Sequence, residues 1–418
     1  MFALMVCALS CAASWGQDVV SWTLTGADFH TERVSLRSID RAGISLATAT
    51  NDPQSAAAAS ARVVSFDNFL QIQRVPAPRP QQAKFVAMLA DGDRIAGEPV
   101  STAGETVVWN NRVLGEMRLP MKQVRVILRS GTQLDGAANG TDEARTEDVV
   151  LLSNGDAVRG ILADLNSTTA TIQPAAGGDP SMVPLDSVLA ILLATPPGAA
   201  TTNASASNER TGRAFRVTLA DSTAITTPLP TLHGTSIELS GGETPRQVPL
   251  DSVVGIEQLN GPVVWVPSLH PSESVQTPFL DLSWLARMDA TIDGDPIRFA
   301  DQSYNHGIGV HSYARLSFAI EPSMKAFRTR YAIDGVQPYA NVTVRIKLDG
   351  RVAHEQSDVT SGKLFGPVVV ETNGARTLTL EVDYGKNQDV QDRFNWIEPA
   401  LLRYVPQKAP TTAPSTQP

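Results

Sequence analysis

One short box of residues returns along the first two thirds of the chain at a nearly constant interval, and that return limits what this region can build. Val183-Pro184-Leu185-Asp186-Ser187-Val188 and Val248-Pro249-Leu250-Asp251-Ser252-Val253 are the same six residues. Leu119-Pro120-Met121-Lys122-Gln123-Val124 and, more degenerately, Val64-Ser65-Phe66-Asp67-Asn68-Phe69 stand in the corresponding place of two further copies. The copies open on Leu24, Leu89, Leu152 and Leu219, steps of roughly 65 residues, and a constant period signals an array of similar units. Each unit reads as strand, turn, strand, middle strand and closing strand. Asp91-Gly92 and Asn154-Gly155 supply hairpin turns. Pro120, Pro184 and Pro249 are placed at the head of the last strand, where a missing N–H is tolerated. About 45 residues per copy bury little core alone. The expectation is therefore a series of small, bent β-barrels or meanders over 17–75, 84–129, 148–194 and 214–258, whose edges pair between neighbouring copies.

Proline-, glycine- and serine-rich stretches separate the copies, at 75–83, 130–146, 195–213 and 260–278, and an Ala/Ser-rich insertion at 54–61 interrupts the first. The picture is beads on a short string. The pattern of the units is reminiscent of Sm-like or SH3-like barrels, an analogy of fold that carries no function.

The last third is built differently. Runs such as 342–348 and 377–383 alternate apolar and polar residues, the period-2 mark of half-buried antiparallel strands. Asp349-Gly350 turns directly after one run, and Gly307 and Gly309 mark closely approached backbone. A β-sandwich of about 120 residues over 279–405 follows. Six ordered motifs lie in it: Ile297-Arg298-Phe299; Gly307-Ile308-Gly309-Val310-His311; 326–330; Lys347-Leu348-Asp349-Gly350; 374–380; and Asp392-Arg393-Phe394-Asn395-Trp396. In that order they resemble the NPCBM/NEW2 domains. The resemblance implies a galactose-binding-like jelly roll that binds carbohydrate, with a galactose-type sugar as the first candidate. The fold class expected for the whole chain is all-β: tandem small barrels or meanders, then a jelly-roll sandwich.

A sugar site needs an apolar or aromatic face for the C–H side of a pyranose and planar polar groups for its hydroxyls. Tyr304 and Tyr313 are candidate platforms; Asn305, His306, Arg393 and Asn395 are candidate hydroxyl partners on loops beside strands. His311 reads either as a half-buried histidine holding a loop, the commoner arrangement, or as a sugar contact. Trp396 reads either as core or as a stacking platform. A structural Ca²⁺ is common in galactose-binding-like folds, and Asp301, Asp383 and Asp392 are the oxygen ligands this would call on, although no contiguous calcium loop is present.

The chain has 418 residues and a formal charge of −9 with no Lys/Arg cluster, which argues against nucleic acid as a partner. It contains no Gly-x-Ser-x-Gly elbow, no His-Glu-x-x-His and no Walker loop, and its acidic residues cluster in turns, so a non-catalytic protein is expected. Residues 1–16 are apolar and too short to span a bilayer, and they read as a signal peptide for export to the periplasm, cell surface or medium. Cys7 and Cys11, the two cysteines of the sequence, lie within it; a lipid anchor on Cys11 is the lesser reading. Residues 406–418 form a Pro/Thr-rich tail expected to be disordered. The alternative to sugar binding is a protein-interaction scaffold, with partners for the repeats and a sandwich that has lost its sugar site.

Overall fold

The computed structural model describes residues 21–48, 61–132, 145–194, 212–240, 245–279 and 284–405; the expected signal peptide at 1–16 with both cysteines, most of the 54–61 insertion and the 406–418 tail lie outside them. Among the described residues there is no α-helix and no helix long and apolar enough to cross a membrane. The chain is all-β.

Four stretches share one plan of strands and a single 3₁₀ turn. In the second, strands Phe85–Leu89, Arg94–Ala103, Thr106–Asn111 and Gly115–Pro120 lead into a 3₁₀ turn at Met121–Gln123 and a last strand Val124–Arg129. The third repeats this with Asp148–Leu152, Ala157–Leu165, Thr169–Gln173, Ser181–Pro184, Leu185–Ser187 and Val188–Leu192. The local chemistry explains the repeat. Asp91, Asn154 and Asp221 each accept, through the side-chain Oδ1, the backbone N–H two residues on, at 3.1, 3.1 and 2.9 Å, which closes the first hairpin. In the recurring box, Ser187 and Ser252 donate back to the carbonyls of Pro184 and Pro249 at 2.8 and 2.6 Å and hold the 3₁₀ turn. The prolines therefore end the strand before the 3₁₀ turn, one turn earlier than the head of the last strand where the sequence placed them. At the end of a strand the missing N–H leaves no gap in the ladder.

The last strand of each stretch pairs twice, once with its own first strand and once with the last strand of another stretch. Val124–Arg129 lies antiparallel to Val188–Leu192 with Ile127 opposite Ile191. Phe69–Val75 lies antiparallel to Val253–Leu259 with Ile72 opposite Ile256. These four isoleucines hold the same position in their stretches, and all are buried. Each pairing is thus self-complementary, as in an isologous dimer. One core is shared by the second and third stretches and another by the first and fourth. Pairing of neighbours, expected from sequence, holds for the middle two; the outer two reach across them. Ala224 pairs with Arg94, and Asn111 Nδ2 donates to Asp221 Oδ2 at 2.8 Å, which ties the two pairs together.

The remainder is a sandwich of two antiparallel sheets. One contains Val263–Trp265, Arg287–Met288, Gly307–His311, Arg393–Leu402, Ala326–Ile333 and Phe365–Glu371. The other contains Glu273–Gln276, Ala314–Ala319, Thr377–Tyr384, Val342–Leu348 and Arg351–Val359. Alternation along Arg393–Leu402 turns Phe394 and Trp396 inward, and Trp396, 1% exposed, packs edge-on to Phe394 and Tyr331 at 5.2 and 5.7 Å. Of its two readings the indole takes the core one.

The sandwich is packed onto the first and fourth stretches. Leu70 joins Val263, Trp265, Ala326, Ala400 and Leu402 in one cluster, the Arg328 guanidinium lies 3.8 Å over the Phe29 ring, and His306 Nε2 meets Glu257 Oε1 at 2.7 Å. The string is closed up.

Candidate functional site

Residues that alternate with the core positions of Arg393–Leu402 face outward. These are Arg393, Asn395 and Ile397, and opposite them on the neighbouring strand stand His311, Gly309 and Gly307. A segment of chain crosses this outer face. At Gly309 an added Cβ would lie 2.4 Å from the backbone of Thr291 and Ile292, so only glycine lets the segment sit so close. Pairing of Arg287 and Met288 with Gly309 and Ile308, together with Arg287 Nε donating to the Ile292 carbonyl at 2.9 Å, holds it there.

The segment brings Trp284 and Asp293 to the sheet end that carries His311 and Arg393. The Trp284 and His311 rings stack at 5.6 Å and 16°, and the Arg393 guanidinium lies 5.7 Å from the indole centroid. Arg393 Nη1 is 3.4 Å from Asp293 Oδ2. Asn395 Nδ2 donates to Asp334 Oδ1 at 3.0 Å, and the Asp334 backbone N–H donates to the Arg393 carbonyl at 2.8 Å. An aromatic face, a guanidinium and carboxylates thus converge at one end of the sandwich.

Burial holds the His311 ring below the usual histidine value and Arg393 adds to this, while the Ser312 carbonyl, Asp389 and Asp293 oppose it. His311 is therefore neutral at pH 7. Its Nδ1 lies 3.1 Å from the Ser312 carbonyl, which can only accept, so Nδ1 carries the proton and Nε2 is an acceptor. Burial raises Asp334 above the ordinary carboxylate range, with Asp293 and Asp295 adding to the rise and Asn395 and Arg393 opposing it.

Asp392 lies beneath the site, fully buried, and accepts from Ser312 Oγ at 2.6 Å and from the Asn341 N–H at 3.0 Å. Burial outweighs these bonds and pushes its carboxyl up to about 6. The folded state therefore holds this proton more tightly than the unfolded chain, and stability falls as pH rises from the ordinary 3.8 through about 6. Asp392→Asn keeps the shape and removes the buried charge. It is expected to be more stable than the parent at pH 8, by about 1–3 kcal/mol, with the gap closing at pH 4. Denaturant unfolding at the two pH values checks this; an equal loss of stability at both would show that the carboxylate's hydrogen bonds outweigh its burial.

The other residues singled out from sequence lie elsewhere. Tyr304 is 6% exposed and donates to Gln302 Oε1 at 3.0 Å within a small cluster with Ile297, Ala332 and Ile397. Asn305 is exposed beside it. His306 stacks on Trp265 at 4.4 Å in the joint with the fourth stretch. Five residues of strand, about 17 Å at 3.3 Å each, separate His306 from His311. Tyr313 donates to Glu381 Oε2 at 3.3 Å on the outer face of the other sheet. Of the candidate calcium ligands, Asp383 accepts from Arg345 on that same face at 2.7 Å, Asp392 is enclosed, and Asp301 lies in an exposed hairpin turn. Among the described residues no three His, Cys, Asp or Glu side chains form a group that could hold a metal, so these aspartates do not fit a shared ion. Trp284, Asp293 and Asp334 were not singled out from sequence. The Asp293-Gly294-Asp295 turn was the visible signal for part of this set.

Residues 263–402 match the NPCBM/NEW2 domain family. No curated protein matches the chain. Solved structures similar to it include the CBM51-2 and INT domains of Clostridium perfringens ZmpB, at 17% identity over 42% of this chain and 37% of that one, with a TM-score of 0.29. The chain thus spans little more than a third of that structure. The CBM51 module of a Clostridium perfringens GH95 protein, solved with methyl-galactose, matches at 21% identity over 33% of this chain and 99% of that one, with a TM-score of 0.28. The tandem CBM51 modules of the Streptococcus pneumoniae family 98 glycoside hydrolase match at 10% identity over 78% and 96%, with a TM-score of 0.29.

Proposed function

We propose that the C-terminal NPCBM/NEW2 domain binds carbohydrate at the sheet end formed by Trp284, His311, Arg393, Asp293, Asp334 and Asn395, and that the protein is an exported, non-catalytic binder. The observation that supports this most directly is the Trp284 indole beside the Arg393–Asp293 pair. It joins an apolar face for sugar C–H groups to planar donors and acceptors for hydroxyls. The indole and His311 stack over residues whose backbone is fixed in the sheet, so little order has to be gained on binding. A galactose-type ligand is the starting candidate, since a similar module was solved with methyl-galactose.

A glycan array of the full chain, followed by calorimetric titration of the hits, tests the reading. Trp284→Ala and Arg393→Ala are each expected to weaken binding by about tenfold or more, as loss of a central aromatic or arginine contact does. Tyr304→Phe, buried at the far end of the face, is expected to leave binding as it was. A folded protein that binds no glycan, or binds one equally well without Trp284, would sink the proposal.

A second reading, a scaffold for protein partners, draws on the closed-up architecture. The sandwich is seated on the first and fourth stretches through Arg328, Phe29, His306 and Glu257. Capture of one defined protein by the repeats, together with a silent glycan array, would favour it.

A further inference from the structure

The site is rich in acceptors and poor in donors. Asp293, Asp295, Asp334 and Asp389 lie around it close enough to bias the titration of Asp334 or His311, against the Arg393 guanidinium, while the Arg287 guanidinium beneath the crossing segment is engaged with the Ile292 carbonyl. The Arg393 guanidinium already faces Asp293. His311 offers Nε2 as an acceptor, because its proton is spent on the Ser312 carbonyl. One further atom points to a missing donor. Asn395 is 1% exposed and bonded through Nδ2 to Asp334, yet its Oδ1 has no hydrogen-bond partner among the described residues. This open acceptor is enclosed, so no ligand atom bonds it directly, but it adds negative potential beside the half-buried Asp334 carboxylate, and that corner of the site favours a donor over an acceptor.

An uronate, sialate or sulfated sugar brings acceptors and negative charge, and meets like charge here. A neutral sugar brings hydroxyls that both donate and accept. A protonated amine brings three donors, no acceptor and one positive charge. Resting on the carbohydrate reading above, we propose that this end of the sandwich selects a sugar carrying a free amine, a hexosamine unit without its acetyl group, and rejects anionic glycans. The ammonium sits against Asp334 and Asp293, with the sugar's apolar face on Trp284.

The test is calorimetric titration of the full chain at pH 6 and fixed salt with three tetramers: glucosamine, N-acetylglucosamine and galacturonate. The sugar's oxygens pull its amine below an alkyl amine's value, towards that of an α-amino group, and at pH 6 the charged form still predominates. The expected result is glucosamine tetramer bound about tenfold or more tighter than its acetylated counterpart, with no detectable galacturonate binding. Asp334→Asn and, at the more exposed position, Asp293→Asn are each expected to collapse the ratio of the two affinities towards one. Glu116→Gln, exposed on the second stretch, is expected to leave that ratio unchanged. An amine preference that survives both aspartate substitutions, or falls equally in Glu116→Gln, would assign it to the net charge of −9 and overturn the proposal. Equal binding of amine and acetylated tetramers, lost in Trp284→Ala, would overturn the amine preference and leave the sugar site standing. No binding of any glycan would remove both.

Discussion

Replacing His306 by alanine is expected to cost about 3–5 kcal/mol and to loosen the sandwich from the fourth stretch, because it takes the directly bonded cation from a buried carboxylate and leaves it only the coulombic influence of Arg216. The imidazole is stacked on Trp265, with Nε2 2.7 Å from Glu257 Oε1 and Nδ1 3.4 Å from Asp289 Oδ1. The side chains of His306 and Glu257 are 12% and 15% exposed, so water screens the pair little. Burial alone would discharge the ring, but Glu257 and Asp289 outweigh it and hold the imidazolium up at about 10. Because that value lies above the ordinary 6.5, the ring's contribution is complete below 6.5 and is lost as pH rises through about 10. Glu257 runs the other way. Burial would raise it, yet His306 and Arg216 bring it below the ordinary 4.5, so its contribution is lost as pH falls. The joint is therefore firmest between about 4.5 and 6.5. Denaturant unfolding across pH and protease cleavage near 259–263 should show the parent loosening on either side of that window. His306→Ala should show weaker protection throughout, and Glu257→Gln on the same background should restore part of it. A His306→Ala protein within about 1 kcal/mol of the parent, with an unchanged pH profile, would show that Trp265, Leu70 and Arg328 carry the joint without the pair.

Much of the fold was legible because its causes are local. The caps at Asp91, Asn154 and Asp221 act over two residues, and the serine back-bonds over three, so a single copy of the box announces its own turn. The alternation in 342–348 and 377–383 reports one buried face directly. Which copies pair was not legible. Ile72, Ile127, Ile191 and Ile256 occupy equivalent settings, so nothing near any one of them distinguishes its partner. The choice of Ile72 with Ile256 is made by packing over roughly 180 residues of chain.

The site was legible in part for the same reason. His311, Arg393 and Asn395 belong to motifs on adjacent strands, and the structure brings them to one sheet end. Tyr304 and His306 were grouped with them by closeness in sequence, yet the extended strand Gly307–His311 carries them to the opposite end. Trp284 faces Arg393 across more than a hundred residues, and only the bare surface at Gly309, which seats its segment, connects the two.

Gly309→Val tests that connection, and it is expected to remove sugar binding while the sandwich stays folded. Gly309 is paired on both sides, to Asn395 and to Arg287, so the strand cannot retreat from an added side chain. Its Cβ would meet the backbone N of Ile292 and C of Thr291 at 2.4 Å and the Ala290 carbonyl oxygen at 2.6 Å, all of them backbone atoms with no rotamer to escape into. At Gly307 the nearest atom, also at 2.4 Å, is the tip of the Ile297 side chain, although the Trp396 carbonyl oxygen follows at 2.6 Å. The crossing segment is the part that can yield, because a two-residue strand and the Asp289 bonds to Gly307 hold it at one end, while 290–292 make no ladder with the sheet. The overpacking is expected to cost about 1–3 kcal/mol. Lifting 290–292 would draw Trp284 off His311 and Asp293 away from Arg393, and a displacement near 1 Å is enough to spoil such a contact set. The signature is a split between two readouts: cooperative unfolding kept, but binding lost together with a change in tryptophan emission as Trp284 leaves His311. Trp284→Ala loses binding without the cost in stability, so the two variants separate the platform from its seat. If Gly309→Val bound glycans as the parent does, with tryptophan fluorescence unchanged, the segment over Gly309 would not be what positions the site.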